Sequence, residues 1–139
     1  MAHYNIYTKS QKTIQLQANI SNIPSDFFDK SLSQQIKIYP SIIKYLKNQT
    51  DELCLAAVIE WGYALKYVKH QTNLICLEAV MQTGLALEYV KNKTDLICSE
   101  AILQNGLALY HIDKQTDEIC LQAVKQNGKA LQYVKEQTE

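Results

Sequence analysis

The chain has 139 residues, enough for one domain, and its 47% hydrophobic and 20% charged content lies in the ordinary globular range. The 14 basic residues, all lysine, balance 14 acidic ones. There is thus neither a net field nor a guanidinium to grip phosphate, and nucleic acid is not an expected partner. No stretch reaches the roughly 18 apolar residues of a membrane span, and MAHYNIYTKSQK lacks the apolar core of a signal peptide, which predicts a soluble, intracellular chain with no membrane partner.

Residues 1–27 stand apart. Ile14, Leu16, Ala18 and Ile20 alternate with polar residues at the period of a half-buried strand, and Tyr4, Ile6 and Tyr7 can form its partner across the polar TKSQK turn. A lone hairpin is marginal in water, so this N-terminal β hairpin is expected to lie against the helices that follow. Pro24 and its neighbours Asn22 and Ser25 break the pattern.

From residue 50 the chain is a repeat with a period of 22 residues, read from Thr50, Thr72, Thr94, Thr116 and Thr138, from Cys54, Cys76, Cys98 and Cys120, and from Gly62, Gly84, Gly106 and Gly128. Leu53, Cys54, Ala57 and Val58 mark one helix and Ala64, Leu65 and Val68 a second. The threonine is placed to cap the first helix, with Asp51, Glu52, Asp95, Asp117 and Glu118 complementing its dipole. The glycine just past that helix predicts a left-handed turn. The fold class is therefore all-α: an α-solenoid of two-helix repeats at 50–71, 72–93, 94–115 and 116–137, within an array over 28–139. The segment 28–49 acts as a degenerate capping repeat, since Leu32, Ile36, Ile42, Ile43 and Leu46 keep the register while Tyr39 and Pro40 replace the residue-glycine pair.

The cysteines fall one per repeat. Stacked helices lie about 8–10 Å apart, too far for a disulfide or for convergence on zinc, so the ladder predicts small, buried, reduced packing and no metal. His3, His70 and His111 are scattered, no nucleophile-base-acid set can be assembled, and the glycines lack phosphate-loop context. The expectation is a non-enzymatic chain with no cofactor.

The stretch QNGLALYHIDKQTDEICLQAVKQNGKALQYVKEQT resembles the uncharacterised N-G-x-A-L-x-Y repeats, a domain of unknown function abundant in giant viruses of the mimivirus type, over about residues 40–139. The resemblance implies no activity and no catalytic residues; a viral origin would imply the host cytoplasm. The chain departs from the pattern at Trp61-Gly62, Thr83-Gly84 and His111.

Function in solenoids usually sits in variable surface positions. Two series are apolar in the central repeats and lysine in the last: Ile59, Met81, Leu103 and Lys125, and Tyr63, Leu85, Leu107 and Lys129. Either they pack on the following repeat, or they form an exposed strip for a partner, which Lys37 and Ser41 in the first unit favour. Trp61 and Tyr110 extend the candidate strip. The expected function is a protein-protein interaction or scaffolding module whose partner is an unidentified protein or a second copy. A structural, self-assembling array is the alternative. Single-stranded RNA binding is the weakest reading, because the row Lys66, Glu88, Tyr110, Gln132 is neither uniformly basic nor aromatic.

Overall fold

The computed structural model describes residues 25–135; the expected N-terminal hairpin lies outside them. After a short 3-10 turn at Phe27–Asp29 come five α-helices: α1 Leu32–Ile38, α2 Asp51–Glu60, α3 Asn73–Gln82, α4 Asp95–Gln104 and α5 Asp117–Gln126. Each is followed by a six-residue 3-10 helix: Pro40–Tyr45, Gly62–Tyr67, Gly84–Tyr89, Gly106–His111 and Gly128–Tyr133. The described residues contain no strand.

The α-helices start where their caps dictate. The hydroxyls of Thr50, Thr72, Thr94 and Thr116 accept from the amides of Leu53, Ile75, Ile97 and Ile119 at 3.2–3.3 Å, and Ser31 forms a reciprocal capping box with Gln34. Helices α2 to α5 each stop at a residue with extended backbone, Trp61, Thr83, Asn105 and Asn127 in turn. The carbonyl of that residue accepts from the amide three residues on, as Trp61 does from Ala64 at 2.8 Å, and so opens the 3-10 helix. Six residues at about 2.0 Å rise span about 12 Å, against about 15 Å for ten α-helical residues, so the tighter winding lets the short second helix match the first in length.

Successive helices pack in a repeat-like array of two layers. Successive α-helices contact one another and their own 3-10 helices, α2 to α5 also contact the preceding 3-10 helix, and from Pro40–Tyr45 onward the 3-10 helices pack on one another in order. The core between the layers is continuous. Ala57, Ala79, Ala101 and Ala123 from the α layer and Ala64, Ala86, Ala108 and Ala130 from the 3-10 layer are fully buried; their small size permits the close approach. Val58, Val80 and Ile102 fill one side, and Leu65, Leu87 and Leu109 the other, each worth about 2 kcal/mol of apolar burial.

The expected left-handed glycine turn is corrected by the structure. None of the four glycines has a positive φ. Gly62, Gly84 and Gly106 are needed because the next repeat presses against them: a Cβ on Gly84 would lie 2.5 Å from the Ala101 carbonyl and 2.8 Å from Gln104 Oε1. Gly128 has nothing within 4 Å of a Cβ.

Candidate functional site

Two ladders of glutamine carboxamides cross the repeat boundaries. In the first, the amides of Gly62, Gly84 and Gly106 donate to Oε1 of Gln82, Gln104 and Gln126 one repeat on, at 2.8, 2.6 and 2.6 Å. Gln104 and Gln126 also donate back to the carbonyls of Gln82 and Gln104. At the first unit both halves of this pair change together. Pro40 stands in the glycine register and has no N–H to give, and Glu60, which cannot offer a carboxamide, stands in the glutamine register.

The second ladder runs along the other edge. Gln71 Nε2 donates to the Tyr89 carbonyl at 2.8 Å, and its Oε1 accepts from the Lys91 amide at 3.0 Å and the Cys76 thiol at 3.4 Å. Gln49 and Gln115 do the same with Tyr67, Lys69 and Cys54, and with Tyr133, Lys135 and Cys120. Burial pushes all four thiols up from their ordinary value, with Asp51, Asp95 and Asp117 adding to the rise at Cys54, Cys98 and Cys120 and Lys93 opposing it at Cys98. The cysteines therefore stay protonated, able to donate, and all are free. Cys54, Cys76 and Cys98 are buried as expected; Cys120 is half-buried. Lys93 occupies the glutamine register of repeat 72–93 and makes none of these bonds.

The two apolar series separate. Ile59, Met81 and Leu103 are 52, 51 and 61% exposed on the last turns of α2, α3 and α4, with Trp61 exposed beside Ile59. Tyr63, Leu85 and Leu107 are half-buried, and Tyr63 and Leu85 pack against the core. The Tyr63 ring meets Tyr89 of the next repeat at 6.2 Å, edge on, as well as Trp61 at 6.3 Å. Tyr63 thus faces its following repeat, and the second series is partly covered. Only the first is a free surface.

Tyr110 belongs to a separate row. Its ring, 64% exposed, meets His111 at 5.1 Å and Tyr133 at 5.2 Å. In the same register Lys44 and Lys66 bridge successive tyrosines: Lys44 lies 5.5 Å from both Tyr45 and Tyr67, and Lys66 5.9 Å from Tyr67 and 5.8 Å from Tyr89. Next in the row stands Glu88, which would be repelled by a ring face; the ring it approaches is the one replaced, by His111. Burial holds His111 below its ordinary value, with Glu88 opposing and Lys93 assisting.

Among the described residues no group of three or more His, Cys, Asp or Glu side chains is arranged to hold a metal, and no helix is long and apolar enough to cross a membrane. The ladders were missed in the sequence, although the columns Gln49, Gln71, Gln115 and Gln82, Gln104, Gln126 are visible there. Residues 96–137 match the family model of a domain of unknown function, DUF4116. No curated protein and no solved structure matches the chain.

Proposed function

We propose that the chain is an α-solenoid interaction module, non-enzymatic and intracellular, built along residues 28–139 from the N-G-x-A-L-x-Y repeats it resembles. Its docking edge is the row Ile59, Met81 and Leu103, with Trp61 as an aromatic anchor. The observation that carries this reading is that row: three large apolar side chains, each at least half exposed, recur at the repeat spacing, and Lys37 and Lys125 end the row on either side. The partner presents a complementary apolar face, and no cofactor takes part.

Self-association is the second reading, and the ladders favour a lateral contact over an end-on one. A second copy stacked on the last repeat would place Ile38, which stands in the register of Gln82, opposite the Gly128 amide, leaving that donor without an acceptor and half-burying Lys129. RNA binding stays weakest, because the lysines of the tyrosine row are engaged with rings and the row changes sign at Glu88.

The test is Met81→Lys combined with Leu103→Lys, changes the last repeat carries at Lys125. Unfolding free energy should shift by less than about 1 kcal/mol, as exposed substitutions do, while partner binding, or a dimer in light scattering, is lost. A double variant that melts several degrees lower shows the row to be core and ends the proposal.

A further inference from the structure

The second glutamine ladder is complete at three junctions and broken at one. Where Gln49, Gln71 and Gln115 bring a carboxamide oxygen to a backbone amide and a thiol, Lys93 brings an ammonium group. Repeat equivalence places the Asp113 amide and the Cys98 thiol around the same point that Gln71 Oε1 occupies one repeat earlier, at 3.0 Å from Lys91 N and 3.4 Å from Cys76 Sγ. Neither the Asp113 amide nor the Cys98 thiol has an acceptor among the described residues. Cys98 is only 7% exposed, so its thiol sees little bulk water. Lys93 carries three further donors and no acceptor. The junction therefore holds one buried donor, the Cys98 thiol, beside a solvent-facing amide at Asp113 and an exposed cation at Lys93, where its sisters hold an oxygen.

This point opens into a cleft of about 470 Å³ between repeats 94–115 and 116–137, lined by Lys93, Cys98, Ser99, Ile112 and Asp113 among others. A cleft one repeat on, about 520 Å³, is lined by Gln115 and Cys120, and there the carboxamide already supplies the oxygen. Ser99 stands where Leu55, Leu77 and Leu121 stand in the other repeats, so the broken junction is also the more polar one. Asp95 and Glu118 line the cleft as well and Lys114 opposes them; the Asp113 carboxylate is paired with Lys135 at 3.2 Å.

We propose that this junction is a binding site for a carboxylate, one oxygen of which takes the place of the missing glutamine Oε1 and accepts from the Asp113 amide and the Cys98 thiol while Lys93 pairs with its charge. A carboxylate fits better than a neutral amide because the group that replaces glutamine is a cation, and charge-assisted hydrogen bonds are about twice as strong as neutral ones. The cleft volume suits a small molecule or the end of a peptide. The acids on its rim keep the affinity modest and exclude polyanions.

The test is a titration of the full chain with sodium acetate, followed by the amide proton and nitrogen shifts of Asp113, against sodium chloride at equal ionic strength. Asp113 should move downfield and saturate, while Lys91 and Lys135, already bonded to Gln71 and Gln115, stay in place. Lys93→Gln rebuilds the ladder, so its Asp113 signal should start at the shifted position and ignore acetate. Lys93→Ala keeps both donors and should bind roughly tenfold more weakly, the weight of one charge-assisted bond. Acetyl-trialanine with a free C-terminus, beside its amidated form, separates a peptide end from a free acid: saturation by the free-ended peptide at lower concentration than acetate assigns the peptide end, and the reverse order the free acid. An Asp113 response that tracks chloride equally, is matched by acetamide, or persists in Lys93→Gln overturns the site.

Discussion

Gly84→Ala and Gly128→Ala make one substitution at two equivalent places, one with a described repeat packed against it and one with nothing near its Cβ. At position 84 the new Cβ would sit 2.5 Å from the Ala101 carbonyl and 3.0 Å from Asn105 Cβ, both fixed by α4 and its end, so the two repeats must move apart. Overpacking of this kind costs about 1–3 kcal/mol. The same displacement lengthens the 2.6 Å bond from the Gly84 amide to Gln104 Oε1, adding about 1 kcal/mol. The total is about 2–4 kcal/mol. At position 128 a Cβ meets nothing within 4 Å and φ is not positive, so alanine should be neutral or stabilise by about 0.4–1 kcal/mol through the unfolded chain. Urea unfolding followed by circular dichroism on both variants measures the difference. If Gly128→Ala loses as much as Gly84→Ala, the glycine serves its own backbone and not the contact between repeats.

Replacing Gln71 with methionine removes the bonds to the half-buried Tyr89 carbonyl and the exposed Lys91 amide, which should cost about 1–2 kcal/mol in the same assay, whereas Lys93→Met should cost under about 0.5 kcal/mol because Lys93 makes no bond to lose; equal losses would show that the ladder carries no stability. His111 protonates less readily in the fold than in the unfolded chain because it is partly buried. Its contribution to stability is therefore complete above its ordinary value of 6.5 and is lost as the pH falls through its lower folded value. His111→Tyr should flatten the thermal midpoint across that window, and an unchanged slope would assign the pH dependence to other groups.

Much of the array was legible because it depends on local chemistry repeated four times. The threonine caps, the buried cysteines and alanines and the period of 22 all follow from side-chain types at fixed spacing. The form of the second helix was not legible: Ala64, Leu65 and Val68 lie on a common face in either an α or a 3-10 winding, and the choice depends on the length it must match in the other layer. The glycines were misread for a related reason. A glycine serves equally where φ is positive and where a neighbour leaves no room for a Cβ, and only the position of the Ala101 carbonyl separates the two. At the candidate docking row, Ile59 and Tyr63 are both apolar columns ending in lysine, yet one is exposed and the other is met by Tyr89. That distinction arises between repeats and has no signature within one.

Departures from the consensus cluster, and in two of the clusters the changes compensate one another. Pro40 removes a donor, and the residue that would have accepted from it is no longer a glutamine but Glu60. Glu88 turns a cation into an anion in the tyrosine row, and the ring it approaches becomes His111. Lys93 and Ser99 stand apart from this pattern, because no described residue restores an acceptor to the Asp113 amide and the Cys98 thiol. Asp113 is exposed and water can take its amide, whereas the Cys98 thiol is 7% exposed, and a buried donor without a partner costs up to about 1–3 kcal/mol. The other junctions show how easily it could be restored: one glutamine suffices at Gln49, Gln71 and Gln115. A carboxylate oxygen held at Lys93 would complete this junction as a glutamine oxygen completes the others, and the Asp113 amide shift is the signal that would report it.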